Sequence, residues 1–369
     1  NISTKINENC ILRPINFIIM KSLLKTLLTF ALIVSLFSCE EDDGVSLTPV
    51  RPYDEVFVED STKIRDFMNS HYITYDSDYN VTFTQIPDGG TQTPISEMNE
   101  LDTIQRKIHD ITYVIYYLKL REGTGESITR VDSSFVSYKG VIFNKTTTDD
   151  EVTYNQTVFD NKQTPIWLSL DEVIRGWSEI IPLFKTGDFT TQTDGSISYN
   201  NYGAGVMFIP SGLAYFSTGT LTIPSYTPTI FTFKLHNLRR RDHDQDGILS
   251  MHEYGNPLDE DRFKKDAIDT DGDGRPDYID VDDDGDGVLT KTERAFTYLD
   301  GGVTKTGYYP YHGAAVDDPS TPYDDTYGIP RKYTGPLNSN NRPTPLPVDF
   351  TDVNRLRRHL DNTTKPPFE

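Results

Sequence analysis

The chain has 369 residues, enough for two domains and flanking segments at roughly 100–200 residues per domain. It carries 56 acidic against 35 basic residues, a formal charge of −21. A nucleic-acid partner requires basic surface that displaces phosphate counterions, so this charge argues against one. The two cysteines, Cys10 and Cys39, cannot form a disulfide framework, and with seven scattered histidines they do not suggest a zinc site.

The beginning of the chain has the pattern of an export signal. Met20 and Lys21 precede an apolar run at 27–37, and the small residue Ser38 stands before Cys39. The run is shorter than the ~20 residues that a membrane-spanning helix requires. A basic start, a short apolar run and a small residue are typical of a secretory signal. The cysteine directly after this signal resembles that of a bacterial lipobox.

This resemblance implies three segments: an upstream piece at 1–19, a lipoprotein signal peptide at 20–38 and a lipidated acidic tether at 39–50. Several acyl chains on Cys39 would anchor the protein stably to a membrane. An ordinary signal peptide or an uncleaved anchor is the alternative. The acidic run at 40–43 resembles the start of surface lipoproteins of the Bacteroidetes phylum. We therefore expect an outer-membrane lipoprotein that faces the cell surface, with a periplasm-facing protein as the alternative.

Secondary structure can be predicted from the spacing of apolar residues. Residues 51–110 form a polar N-terminal extension, in which Asp60 precedes apolar residues at helical spacing and predicts a short helix. β-branched and aromatic residues predict strands at 112–121 and about 134–143. Strict alternation over 229–237 predicts a strand with one buried face.

One helix is predicted between these strands. Ser169 and Glu172 have the spacing of a capping box, in which each side chain satisfies the other's backbone amide. Val173 and Trp177 are four residues apart and share a helix face, and Pro182 ends the helix. One short helix among several strands predicts an α+β domain.

Seven short motifs follow one another in a characteristic order between about 117 and 238. They are Gly123-Thr-Gly125, Val136-Ser-Tyr138-Lys-Gly140, Val158-Phe159-Asp160, Glu172-Val173-Ile174-Arg175-Gly176-Trp177, Leu213-Ala214-Tyr215, Ile223-Pro224 and Phe231-Thr-Phe233-Lys-Leu235. This segment resembles the FKBP-type peptidyl-prolyl cis-trans isomerases in both order and spacing. The resemblance implies an isomerase domain at 111–238, built as a twisted antiparallel sheet wrapped around one short helix.

The same resemblance implies a proline-binding pocket between the helix and the sheet. Trp177 would form the floor of this pocket. Its walls would be Tyr138, Phe159, Val173, Ile174, Ile223 and Phe231. Asp160 would accept a hydrogen bond from Tyr138, while the N–H of Ile174 and the hydroxyl of Tyr215 would hold substrate carbonyl groups. Such a site would act on proline-containing protein clients without a catalytic cofactor.

An acidic array follows the predicted isomerase domain. Three loops can be aligned with the 12-residue EF-hand calcium loop, in which oxygen ligands recur at every second position and glycine stands sixth. The first loop (242–253) offers Asp242, Asp244, Asp246, the carbonyl of Ile248, and Glu253. The second loop (269–280) offers Asp269, Asp271, Asp273, the carbonyl of Arg275, and Asp280. The third loop (282–293) offers Asp282, Asp284, Asp286, the carbonyl of Val288, and Glu293. The run 269–287 resembles thrombospondin type 3 repeats more than paired EF-hands.

The charge of this array favours a structural role for calcium. Residues 242–293 contain 18 acidic and 5 basic residues, a net charge of −13. Such a segment repels itself and has too few apolar residues to fold alone, so a disordered linker is the alternative to a calcium-bound module. Calcium sensors need long flanking helices that open on binding, and Pro257 and Pro276 interrupt the short flanks here. We expect a calcium-stapled module at 239–294 and an irregular C-terminal extension at 295–369.

Two functions of different classes are compatible with these patterns. The first is an outer-membrane-anchored prolyl isomerase that assists the folding of exported proteins. The second is a non-catalytic FKBP-shaped chaperone or subunit of a larger envelope machine, for which an outer-membrane secretion translocon is the expected partner. A calcium-regulated switch is a third hypothesis, and the array geometry favours it least.

Overall fold

A computed structural model describes most of the chain after residue 48. The described residues are 49–149, 151–255, 267–314, 316, 317, 319, 324 and 326–368. The predicted signal peptide and Cys39 lie outside them. The chain divides into a unit of residues 1–50 and a unit of residues 51–369, and the second is described below. Within the described residues, no helix combines the length and the apolar character needed to cross a membrane.

A six-stranded antiparallel sheet is the centre of the second unit. Its strands are β3 (Leu101–Ile108), β4 (Ile111–Arg121), β5 (Ser133–Thr148), β6 (Glu151–Ser169), β9 (Gly203–Ile209) and β10 (Thr229–Arg239). Their order across the sheet is β3-β4-β9-β10-β5-β6, and every neighbouring pair is antiparallel. Three two-stranded hairpins surround it: β1 (His71–Tyr75) with β2 (Val81–Gln85), β7 (Asp188–Thr191) with β8 (Ile197–Asn200), and β11 (Ala295–Asp300) with β12 (Val303–Tyr308).

Helix α1 (Tyr53–Ser70) covers one face of this sheet. Ile64 and Phe67 of α1 share a buried cluster with Ile230 of β10. The strand at 229–237 is therefore buried on both faces near its start, and the prediction of one buried face was wrong because α1 shields the other. The prediction that Asp60 precedes its helix was also wrong. Asp60 lies inside α1, fully buried, and accepts a hydrogen bond from the N–H of Ser211 at 2.7 Å.

Helix α2 (Arg175–Ile180) packs on the opposite face. Trp177 and Ile180 belong to a second buried cluster with Phe231 of β10. The predicted capping box is absent from this helix: Ser169 ends strand β6, and its hydroxyl donates to Asp171 at 2.6 Å. Pro182 lies in a 3₁₀ turn at 181–183 that continues α2. These elements form an α+β fold with one large antiparallel sheet and few helices, as the sequence predicts.

A buried carboxylate holds α2 in place. Glu179 is 2% exposed, and its side chain accepts hydrogen bonds from three guanidinium groups. Arg106 of β3 donates at 2.6 Å, Arg175 of α2 donates at 2.8 Å, and the buried Arg130 donates from the loop before β5. A six-residue helix is too short to be stable by itself, so this clamp and the packing of Trp177 fix its position.

The C-terminal part of the chain packs against the predicted calcium loops. Three short helices lie in this region: α3 (Ser250–Glu253), α4 (Thr290–Glu293) and α5 (Pro347–Thr351). Ile248 of the first loop shares a small buried cluster with Tyr311 and Ile329. Arg358 is fully buried and donates to the backbone carbonyls of Glu293 and Ala295, the latter at 2.7 Å. The described part of 295–369 thus holds the end of the third loop.

Replacing Glu179 tests the clamp. Glu179→Gln leaves three guanidinium groups around a neutral amide, and removing one partner of a buried ion pair typically costs about 3–5 kcal/mol. We expect the free energy of unfolding, measured by urea denaturation, to fall by about this amount. The matched control Glu151→Gln changes an exposed residue of β6 and should leave the free energy of unfolding unchanged. Equal stability of the two variants would contradict the clamp.

Candidate functional site

A cleft of about 260 Å³ opens between α2 and the sheet. Its floor is Trp177, which is 3% exposed. The Trp177 ring meets Tyr138 and Phe231 edge to face, with centroids 5.0 and 5.3 Å apart. Phe159 meets Phe231 in the same way at 5.3 Å, and Tyr215 at 6.4 Å. The perpendicular rings form an aromatic concavity beside the Asp160 carboxylate.

Irregular pairing of β5 with β6 aims the side chains of one wall. The register shifts between Val136 and Tyr138, and again between Gly140 and Val141. The second shift leaves Phe159 as the extra residue between Val158 and Asp160. Its ring lies over Gly140, where a Cβ atom would collide with it. Bulges of this kind re-aim side chains at functional sites, and here they turn Phe159 toward the cleft.

Tyr138 and Asp160 form a hydrogen-bonded pair at the edge of the cleft. Tyr138 donates to Asp160 at 2.6 Å, while the second carboxylate oxygen accepts from the N–H of Asn161 at 2.8 Å and lies 3.2 Å from Lys162. Burial raises the pKa of Tyr138, and the bond to Asp160 adds to the increase. Burial alone would raise the pKa of Asp160, but the bonds from Tyr138 and Lys162 hold it below its usual range. The ionised carboxylate therefore orients Tyr138.

The start of α2 supplies a backbone donor to the cleft. Ile174 immediately precedes the helix and has extended-type backbone angles, φ −56° and ψ 144°. Its N–H thus lies outside the helical hydrogen-bond ladder, as do all groups at a helix start. Tyr215 is half-buried at the other side of the cleft, and burial raises its pKa, so its hydroxyl stays protonated and can donate.

The structure brings most of the predicted pocket residues together. Seven of them line the cleft: Tyr138, Asp160, Val173, Ile174, Trp177, Tyr215 and Phe231. Phe159 contacts two of these rings, and Ile223 is buried outside the lining set. Leu168 and Glu172 also line the cleft, although neither is among the predicted pocket residues. Leu168 follows the first register shift of β6, which no sequence pattern indicated.

The three acidic loops share one backbone design. The sixth-position glycines, Gly247, Gly274 and Gly287, have φ values of +96°, +99° and +87°, which favour glycine. The first aspartate of each loop accepts from the N–H of that glycine, at 3.1 Å for Asp242, 2.9 Å for Asp269 and 2.9 Å for Asp282. The local geometry of the loops is thus repeated three times.

Carboxylate oxygens converge within each loop. Ligand atoms within 4.8 Å of one another are contributed by Asp242, Asp244 and Asp246, by Asp269, Asp271 and Asp273, and by Asp282, Asp284 and Asp286. Such all-oxygen sets match the preference of Ca²⁺. The carbonyl donors expected from Ile248, Arg275 and Val288 belong to the same turns. Asp280 stands apart from these sets, and its carboxylate lies 3.7 Å from Arg275.

The glutamates that end two of the loops are buried. Glu253 and Glu293 are 6% and 0% exposed, and all four of their carboxylate oxygens lack a hydrogen-bond partner. Burial and the nearby aspartates raise the pKa of Glu253 to about 11 and that of Glu293 to about 9. A bound divalent cation would remove this penalty, which makes the donor set fit calcium.

Two further aspartates of the array, Asp277 and Asp283, are not among the predicted calcium ligands. Asp277, in the second loop, accepts hydrogen bonds from the N–H and the hydroxyl of Thr270, both at 2.7 Å. Asp283, in the third loop, lies beside Asp244 and Glu253 of the first loop. The folding of one loop onto another creates this contact, so spacing within a loop could not predict it.

Comparisons with known proteins give limited similarity. A family model described as BamM C-terminal matches residues 243–323, the region of the predicted EF-hand-like and thrombospondin type 3-like repeats, and its description names neither repeat. No curated protein matches the chain. Among solved structures, the chain is similar to a peptidyl-prolyl cis-trans isomerase from Pseudomonas syringae pv. tomato, with 18% identity and a TM-score of 0.29. That alignment covers 52% of this chain and 100% of the other.

Two further solved structures show similarity at the same level. FkpA from Escherichia coli is 20% identical with a TM-score of 0.28, and the alignment covers 50% of this chain and 60% of FkpA. The N-terminal domain of FKBP42 from Arabidopsis thaliana is 15% identical with a TM-score of 0.25, covering 34% of this chain and 86% of that domain. At these values the similarity assigns no activity to the chain.

The raised pKa values of the loop glutamates predict a pH dependence. A carboxyl group with a higher pKa in the folded than in the unfolded chain binds more protons when folded. The pH window of this effect begins at 4.5, the usual pKa of a glutamate. It ends at the raised pKa, about 11 for Glu253 and about 9 for Glu293. Without a bound cation, their contribution to the free energy of unfolding therefore falls as pH rises through this window.

We expect the thermal midpoint of the metal-stripped protein to be higher near about pH 5 than near about pH 8. Excess calcium should reduce or reverse this dependence, because the cation stabilises the ionised carboxylates. The double variant Glu253→Gln and Glu293→Gln should show a weaker dependence without metal. A metal-free midpoint that rises with pH would contradict raised pKa values for these two carboxyl groups in the folded chain.

Proposed function

We propose that this protein is an FKBP-type peptidyl-prolyl cis-trans isomerase, anchored to the outer membrane through Cys39, that assists the folding of exported proteins. One observation carries the proposal: Trp177, Phe231, Tyr138 and the Asp160 carboxylate meet in one cleft beside the free N–H of Ile174. The resemblance of the sequence motifs to the FKBP family implies the same roles for these residues and supports the proposal.

The reaction needs a pocket of this kind. Resonance makes the peptide C–N bond partly double, with a rotation barrier of ~18–20 kcal/mol. X–Pro bonds populate both isomers but exchange them over tens to hundreds of seconds. At the top of the barrier the amide loses conjugation and becomes less polar than the planar ground state. A dry aromatic wall therefore favours the twisted amide over the planar one.

Each group of the cleft has a place in this scheme. The prolyl ring would stack on Trp177, between Tyr138 and Phe231, while the N–H of Ile174 and the hydroxyl of Tyr215 would hold carbonyl oxygens of the client. Preferential binding of the twisted amide by about 5–7 kcal/mol would accelerate exchange ~10⁴–10⁵-fold. Asp160 positions Tyr138 and takes no proton in this scheme.

Calcium belongs to the proposal as a structural ion. The convergent carboxylates of the three loops would bind it, and neutralisation of their charge would order the module between the isomerase domain and the C-terminal segment. The short helices α3 and α4, of four residues each, lack the length of sensor helices. Calcium would therefore hold the module together rather than switch it.

The size of the C-terminal region favours a docking role as a second candidate function. A non-catalytic FKBP-shaped chaperone or translocon subunit needs surface beyond the cleft, and the described part of residues 295–368 would supply it. An outer-membrane assembly is the setting that we propose for such a subunit. Such a setting would present the cleft to emerging clients, on the cell surface or on the periplasmic side.

Exchange of short X–Pro peptides, measured by NMR, tests the isomerase. We expect the parent protein to accelerate exchange. The substitution Trp177→Ala removes the floor of the cleft, and Asp160→Val removes the carboxylate that orients Tyr138. Each variant should lower the rate constant per enzyme by ~10-fold or more, which corresponds to about 1.4 kcal/mol of transition-state binding. The control Trp167→Ala removes a tryptophan that lies 41% exposed outside the cleft, and it should retain the parent rate.

The outcomes separate the two candidate functions. If the folded parent protein did not accelerate exchange of any peptide, the proposed isomerase activity would be contradicted. The non-catalytic subunit would then be the remaining candidate function. If metal stripping abolished the rate while the near-UV circular dichroism stayed unchanged, calcium would be regulatory and the structural role would be wrong.

A further inference from the structure

The side chain of Asp283, in the third loop, lies beside carboxylates of the first loop. Its carboxylate has a ligand atom within 4.8 Å of ligand atoms on Asp244 and Glu253, which precede it by 39 and 30 residues in the chain. The Asp283 side chain is 2% exposed, and its N–H donates to the hydroxyl of the fully buried Thr290 at 3.2 Å. This hydrogen bond lies within the third loop and holds the backbone of Asp283, while the buried side chain of Asp283 meets the first loop.

Six carboxylate oxygens at this contact are buried without a hydrogen-bond partner. They are both oxygens of Asp283, both oxygens of Glu253, and one oxygen each of Asp244 and Asp246. Burying a charged group without compensation is costly, and adjacent carboxylates repel one another. A small cation with several coordination positions can satisfy all six oxygens at once.

Nearby protein cations bind elsewhere. The guanidinium of Arg294 donates to the backbone carbonyl of Asp246 at 2.7 Å, and the ammonium of Lys291 to that of Gln245 at 3.3 Å. The carboxylates that face Asp283 thus remain available for a metal ion.

One ligand position of the first loop is also open. The ninth residue of an EF-hand loop usually contributes a ligand, often through water. In the first loop this residue is Ser250, whose hydroxyl contacts the N–H of His243 at 3.2 Å and the ring Nδ1 of His243 at 2.8 Å. Ser250 is therefore engaged, and a ligand from outside the loop can take its place.

We propose that Asp283 of the third loop completes the coordination of the calcium ion held by the first loop, so that one ion joins the two loops. This inference rests on the proposed calcium binding of the loops. The donors are Asp242, Asp244, Asp246, Glu253 and Asp283, an all-oxygen set with the adaptable geometry that Ca²⁺ accepts and the smaller Mg²⁺ does not. The joined loops would bind and release this ion as a unit.

A double-mutant cycle on the purified protein tests the shared ion. Calcium stoichiometry is measured by native mass spectrometry, and affinity by calorimetry, for the parent, Asp242→Asn, Asp283→Asn and the double variant. We expect each single substitution to weaken the same ion by ~10-fold or more. The double variant should lose no further ion, because two ligands of one site are not independent.

The matched control is Asp273→Asn, which changes the second loop alone. Combined with Asp283→Asn, it should give additive losses at two separate ions. Additive losses for the pair Asp242→Asn and Asp283→Asn would overturn the inference, because Asp283 would then serve its own loop. An Asp283→Asn variant that binds the same number of calcium ions as the parent, with the same affinity, would also overturn the inference.

Thermal stability gives a readout that a merely structural aspartate would not. Asp283→Asn removes a repelling charge from the metal-free protein but a ligand from the calcium-bound protein. We expect its thermal midpoint to exceed that of the parent after metal stripping and to lie below it in excess calcium. A variant less stable in both states overturns the inference. A parent that binds no calcium refutes the calcium part of the proposed function instead, while the isomerase assay stays independent of this result.

Discussion

The placement of a six-residue helix by one buried carboxylate is the constraint on which the cleft depends. Helix α2 cannot persist alone, yet it carries Trp177 and begins just after the N–H of Ile174. Glu179 ties it to β3 and to the loop before β5 through Arg106 and Arg130. None of Glu179, Arg106 and Arg130 lines the cleft, so these contacts fix the position of α2 without filling the cleft.

The predicted calcium module continues from this framework instead of hanging from a free linker. Arg240 donates to the buried Asp132 at 2.6 Å, and the ring of His243 lies 3.1 Å from Asp171, two residues before Val173 of the cleft. On the C-terminal side, Arg358 donates hydrogen bonds to the backbone carbonyls of Glu293 and Ala295, at the end of the third loop. The loops therefore join the cleft region to the C-terminal segment within one compact unit.

Much of this organisation could be predicted from the sequence, and the misses have physical causes. The strands at 112–121 and 134–143, and the convergence of Tyr138 with Trp177, follow from local pattern and motif order. The burial of both faces of β10 depends on its packing against α1, which is distant in the sequence. The alternation of residues within β10 does not indicate that packing. Ser169 failed as a cap because the long strand β6 extends through it. The bulges between β5 and β6 and the contact of Asp283 with the first loop arise from tertiary contacts. The spacing of residues along the chain does not predict such contacts.

The central claim is that the aromatic cleft holds a proline ring, and direct observation of that contact tests it most sharply. Intermolecular NOEs would be recorded between an X–Pro peptide and the calcium-loaded protein. We expect contacts from the prolyl ring protons to the indole of Trp177, with a shift of the Ile174 amide resonance on binding. NOEs that map to the loops or to the C-terminal segment, with the Trp177 indole unaffected, would contradict it.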